Sequence, residues 1–201
     1  MDHTLAEEFT AIQEASSFAA LHHRHQERSD GTPYIAHPFR VCLTLRQVFG
    51  VDDIATLTAS LLHDLIEDTG VDYDDILARF GEEVADLVAG MTKDMRLREE
   101  IREAAYDEEI KAGSWKLKAI KLADVFDNLC DSDSEKREKA VAKAERAIAC
   151  AEGEEKLGDA SAKVREAIND IREAVFAQRM LEEARAEGGE VEIKKGETWS
   201  S

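Results

Sequence analysis

Proline is almost missing from this chain of 201 residues: there are two, Pro33 and Pro38, both in one short segment. Outside that segment little interrupts a helix, because proline is the residue that breaks one most strongly. Cysteine is scarce too. The three present, Cys42, Cys130 and Cys150, are odd in number and widely spaced. That pattern argues against a disulfide framework or a cysteine metal site and fits reduced thiols in the cytoplasm. No apolar run is long enough to span a bilayer. The opening Met-Asp-His-Thr-Leu-Ala-Glu-Glu-Phe lacks the basic-then-apolar order of a signal peptide. The expected location is therefore cytoplasmic. Positive charge is also in short supply, with 26 Lys and Arg against 44 Asp and Glu and a net charge of −18. Such a field repels nucleic acid and anionic membranes, so neither is expected as a partner. A phosphate substrate would need local compensation from a metal or a few basic side chains.

What is present is helix. Hydrophobic residues make up 43% of the chain, enough for a core, and charged residues 35%, above the usual share. Helical spacing runs over about 4–27, from Pro38 to Val48, from a cap at Asp52 or Asp53 to about Asp68, and over about 73–90, closed by Gly90. A charged helix over about 96–112 and a strongly patterned one from Lys116 to Leu129 follow. Residues 134–152 and 160–186, rich in Ala, Glu, Lys and Arg, read as a solvated, amphipathic helical hairpin that leaves a homo-oligomer open. There is no alternating strand pattern and no repeat. The expected fold class is all-α: a domain over 1–155, a helical extension over 156–187 and a flexible tail over 188–201.

Chemistry concentrates in Leu61-Leu62-His63-Asp64-Leu65-Ile66-Glu67-Asp68-Thr69. Wound at about 100° per residue, His63, Glu67, Asp64 and Asp68 share a sector of roughly 140°. The plain alternative is an amphipathic helix with an acidic outer face. Two features count against it. Thr56, Ala59 and Ser60 on the preceding turns are small, so something packs close to that side. Three carboxylates crowded on one imidazole also repel unless a cation offsets them. A divalent metal is the simplest such cation, and oxygen and nitrogen donors suit Mn²⁺, Fe²⁺, Zn²⁺ or Mg²⁺. A second segment, Lys121 to Leu129, sets Lys121, Asp124 and Asn128 on one face. A third, Tyr34-Ile35-Ala36-His37-Pro38, carries a histidine before proline.

In this order, His-Pro, His-Asp-x-x-Glu-Asp and Lys-Leu-Ala-Asp-x-x-x-Asn resemble the HD hydrolase domain of the RelA/SpoT family, with matches over about residues 20–130. The resemblance implies an HD-domain helical bundle with additional C-terminal helices, similar to a stand-alone small alarmone hydrolase. It implies one metal, usually Mn²⁺, held by His37, His63, Asp64 and Asp124. It implies that Glu67 and Asp68 position or activate the attacking water. Lys121 and Asn128 would lie near the phosphates and ribose, and Arg28 near the guanine base. Tyr34 also has a match, read here as packing. The implied reaction removes the 3′-pyrophosphate of guanosine tetra- or pentaphosphate. Ser29, Val125 and Cys130-Asp131 depart from the family pattern, each removing positive charge or donors near the nucleotide. Two other readings therefore stand beside it. One is an HD phosphohydrolase for another nucleotide or phosphate ester; the other is a non-catalytic helical binding protein with a structural metal.

Overall fold

The computed structural model describes residues 5–133 and 136–186. Among these, ten α-helices follow one another and no strand forms. An isolated antiparallel bridge, Glu27 with Pro33, closes the loop that carries Gly31. The tail expected over 188–201 lies outside the described residues.

The centre of the bundle is α3 (Ile54–Leu62). Every residue from Thr56 to Leu62 is buried, and α1 (Leu5–His22), α2 (Ala36–Leu43), α6 (Glu82–Met91) and α8 (Trp115–Cys130) pack around it. The small residues Thr56, Ala59 and Ser60 let these neighbours approach, as the sequence suggested. Burying a leucine such as Leu62, which has no exposed surface, contributes about 2 kcal/mol. Asp53 caps α3 by accepting from the Thr56 amide at 2.9 Å, the capping expected of an Asp just before an apolar run.

The structure corrects the expected helix ends in three places. The helix expected to run on to Asp68 stops at Leu62 and restarts as the single turn α4 (Leu65–Asp68). The helix expected over 73–90 is two, α5 (Tyr73–Phe80) and α6. Gly81 separates them at a φ of 85°, a conformation open mainly to glycine. Gly90 does not close a helix. It lies inside α6, where a Cβ would come within 2.9 Å of Leu117 Cδ2, so glycine there lets α8 approach.

The later helices are not a solvated hairpin throughout. α7 (Glu99–Ala112) and α9 (Arg137–Cys150) pack together and on α8, and α9 buries Ala144, Ala147, Ile148 and Cys150. α10 (Gly158–Ala186) buries Ala160, Ser161, Val164 and Ile168 in the same core. Its positions 172–180 are all exposed, which agrees with the solvated reading for that stretch.

Candidate metal and nucleotide site

The break between α3 and α4 places the first two candidate residues. Neither His63 nor Asp64 belongs to a regular helix; His63 ends α3 and Asp64 begins α4. His63 is 1% exposed, and its Nδ1 lies 2.8 Å from the Ser60 carbonyl oxygen. A carbonyl only accepts, so Nδ1 carries the proton and Nε2 is left as a lone pair. Nε2 is buried without a hydrogen-bond partner. It lies 3.1 Å from Asp64 Oδ1, close but out of line for a hydrogen bond.

His37, one residue before Pro38 on α2, approaches from the other side. Its Nε2 is 3.3 Å from Asp124 Oδ1 and 3.7 Å from Asp64 Oδ2. One donor atom each from His37, His63 and Asp124 falls within 4.8 Å of the others, and Asp64 borders them. An orphaned buried imidazole nitrogen, a second imidazole and two carboxylates at one point are a donor set that fits a divalent metal. The four residues expected as ligands are therefore brought together.

Burial would push these groups toward their neutral forms, and charge pairing opposes it. For His37, burial alone would lower the pKa, but the Asp124 and Asp127 carboxylates outweigh it and raise it to about 9. For Asp124, burial alone would raise the pKa; the Lys121 ammonium and then His37 hold it well below the usual carboxylate range. Lys121 Nζ donates to Asp124 Oδ2 at 2.9 Å, and Asn128 Nδ2 donates to Asp124 Oδ1 at 2.6 Å.

The expected water-activating pair flanks the cluster. Glu67 Oε2 accepts from the Lys93 amide at 3.0 Å. Burial, and then the Asp64 charge, raises the pKa of Asp68, which makes it a stronger base than an ordinary aspartate. Tyr34 is more than packing: its hydroxyl donates to Asp64 Oδ2 at 2.6 Å. Of the residues expected near substrate, Arg28 and Asn128 meet directly, Arg28 Nη2 donating to Asn128 Oδ1 at 3.1 Å. Asp131, a departure in sequence, pairs with Arg28 Nε at 2.7 Å.

Every site residue expected from the sequence, except the buried His63, lines a cavity of about 390 Å³, within the range that holds a small ligand. The cavity also shows what the sequence reading missed. Lys93, Lys136, Lys139 and Lys143 join Arg28 and Lys121 on its wall. Lys136 Nζ donates to Ser29 Oγ, so an ammonium stands over a position where a basic residue was expected. Lys136, Lys139 and Lys143 share one face at i, i+3 and i+7, a signal available in the sequence. Asp127, buried on α8, was also missed. Burial alone would raise its pKa, but its bonds to His37 and Arg40 lower it.

The HD domain family profile matches residues 15–149. The human guanosine-3′,5′-bis(diphosphate) 3′-pyrophosphohydrolase MESH1 is 40% identical over 129 residues, covering 63% of this chain and 72% of its own length. The guanosine-3′,5′-bis(diphosphate) 3′-pyrophosphohydrolase of Aquifex aeolicus is 42% identical over 121 residues, 59% of this chain but 17% of that larger protein. The solved structure of a metazoan ortholog of SpoT that hydrolyses ppGpp superposes with a TM-score of 0.73 at 28% identity. It covers 85% of this chain and 97% of that one. The profile spans every candidate residue from His37 to Asn128, and the chain belongs to the HD domain family.

Proposed function

We propose that this chain is a metal-dependent phosphohydrolase that removes the 3′-pyrophosphate of guanosine tetra- or pentaphosphate, releasing GDP or GTP and pyrophosphate. The observation that carries this reading is the charge of the cavity. In a chain of net charge −18, six basic side chains converge on one wall beside the histidine and aspartate cluster. Four of them are paired, Arg28 with Asp131, Lys93 with Glu103, Lys121 with Asp124 and Lys136 with Asp133, and Lys139 and Lys143 add charge beyond those pairs. Desolvation at the cavity wall, and then the Lys93 and Lys121 ammonium groups, lowers the pKa of Lys143. A nucleotide with two pyrophosphate groups supplies a matching anion, and the curated relatives act on such a nucleotide.

We assign the metal to His37, His63, Asp64 and Asp124, with Mn²⁺ as the ion. A divalent ion held there supplies Lewis acidity to a phosphate oxygen and acidifies water. The chain's own residues do the rest. The Glu67 and Asp68 pair takes one proton from the attacking water as its oxygen bonds to phosphorus, and that proton passes to the ribose 3′-oxygen as its bond to phosphorus breaks. Lys121, Lys139 and Lys143 offset charge on the phosphate oxygens as the ester bond breaks. Arg28 and Asn128, held against each other, face the nucleoside. We take residues 1–155 as the hydrolase unit and 156–187 as its extension, a division supported by the burial of Ala160, Ser161, Val164 and Ile168 against the unit.

The test is direct. Purified protein with Mn²⁺ and guanosine tetraphosphate should release pyrophosphate, and an Asp64→Ala variant should not. No release above that variant sinks the reading. A second reading, another nucleotide or phosphate ester, is favoured by one observation: Asp131 already occupies Arg28 Nε, which restricts how that arginine meets a base. A panel of nucleotides and phosphate esters separates the two readings. No helix of the described residues is long and apolar enough to cross a membrane.

A further inference from the structure

Asp127 lies on α8, one turn before its C-cap Asp131, and is not among the residues that line the cavity. It is 5% exposed, and a carboxylate so buried is costly unless its charge is paired and its oxygens are hydrogen-bonded. Both oxygens are used. Oδ2 accepts from His37 Nδ1 at 2.7 Å. Oδ1 accepts from Arg40 Nε at 2.6 Å, and Arg40 Nη2 reaches Oδ2 at 3.0 Å. Arg40 Nη2 also lies 3.2 Å from Asp131 Oδ2, the oxygen that Arg28 Nε meets at 2.7 Å. A continuous line of opposite charges thus runs from Arg28 on the cavity wall, through Asp131, Arg40 and Asp127, to the rear nitrogen of His37.

The geometry has a directional consequence. An imidazole can turn about its χ2 torsion and offer either ring edge to a neighbour. With Nδ1 donating backward to Asp127, the ring has one edge left, and Nε2 points at Asp124 and Asp64. His63 receives the same service from a main-chain oxygen, that of Ser60. The two histidines therefore converge because each rear nitrogen is anchored, one by backbone and one by a side chain.

We propose that Asp127 is a positioning residue for the metal centre: it fixes His37 with Nε2 directed at the metal, while Arg40 keeps the buried carboxylate compensated. The proposal rests on the assignment of the metal to His37, His63, Asp64 and Asp124. Rear-nitrogen partners of metal-bound histidines hold ring orientation and tautomer, and their loss weakens binding about 10–100-fold.

The experiment is a Mn²⁺ titration of the full-length protein, with free ion followed by electron paramagnetic resonance, for the unmutated chain, Asp127→Ala and Asp127→Asn. Asp127→Ala should weaken Mn²⁺ binding by about 10–100-fold, and saturating Mn²⁺ should restore most of its turnover number. Asp127→Asn keeps an acceptor oxygen and should recover much of the lost affinity. Arg40 is 36% exposed at its side chain and retains Asp131, so the alanine variant has a route to stay folded, checked by circular dichroism. If it does not fold, nitrogen NMR of the unmutated, Zn²⁺-loaded protein decides: His37 should carry its proton on Nδ1, and a proton on Nε2 overturns the proposal. A folded alanine variant that binds Mn²⁺ as tightly as the unmutated chain overturns it as well. An unmutated chain that binds no divalent ion overturns the metal centre itself, a separate and recognisable failure.

Discussion

Stripping the protein of metal should expose a pH dependence that belongs to His37. In the folded chain its proton is held to about pH 9 against an ordinary 6.5. That difference corresponds to about 3 kcal/mol of stability. The folded pKa is the higher one, so the contribution is complete below pH 6.5 and is lost as pH rises through about 9. Integrated over pH 6.5 to 8.5, about 2 kcal/mol should disappear. Above that window Cys42, Cys130 and Cys150, whose thiol pKa values burial raises, add a loss of the same sign and blur the assignment. The assay is urea denaturation of chelator-treated protein at half-unit pH steps, read by circular dichroism. Asp127→Asn removes one of the three carboxylates responsible, Asp124, Asp127 and Asp64, and should flatten part of the slope. Stability that stays level from pH 6.5 to 8.5 refutes the reasoning. So does NMR that finds His37 titrating near its ordinary value. Because the proton on Nε2 occupies the site of the lone pair, apparent Mn²⁺ affinity should rise over the same interval.

Other expectations follow from the packing and the charge map. Gly90→Ala places a Cβ within 2.9 Å of Leu117 Cδ2 and should cost about 1–3 kcal/mol by overpacking, seen as a lower urea midpoint. Leu62→Ala, at a site with no exposure, should cost about 2–5 kcal/mol in the same assay. Replacing both Lys139 and Lys143 by glutamate should raise KM for guanosine tetraphosphate and weaken its dependence on salt, while leaving Mn²⁺ affinity near that of the unmutated chain. Glu67→Gln keeps the shape but not the charge, and should lower kcat by about 100-fold or more without unfolding the protein.

Much of the site was legible because its chemistry is local. His63-Asp64 and Glu67-Asp68 lie within six consecutive residues, and Lys121, Asp124 and Asn128 repeat at helical spacing, so period set each group on one face, and the family resemblance joined the two groups with His37. The small residues Thr56, Ala59 and Ser60 gave away the central helix for the same reason. What failed was anything set by long-range packing. The winding of His63 to Asp68 on one helix was too simple, because the His63 ring takes the Ser60 carbonyl and the helix breaks there. Gly90 looked like a terminator because its partner, Leu117, is remote in sequence. Asp127 drew no reading from the sequence; its meaning comes from Arg40 and His37, about ninety residues away in sequence. The lysines of α9 were hidden for a similar reason. An amphipathic helix shows that it has two faces, and the sequence does not say which cavity the polar one borders.

That last arrangement divides the molecule's capacity for change. The histidines and aspartates lie within or between helices whose burial holds the bundle together, so replacing them risks the fold. Lys136, Lys139 and Lys143 are exposed, and substitutions on a surface face usually shift stability by less than about 0.5 kcal/mol. If these lysines recognise the substrate as proposed, its preference can drift on the exposed face of one helix while the metal cluster stays under structural constraint. A lineage of such proteins could sample new phosphorylated metabolites by trading a handful of surface charges, at almost no risk to folding.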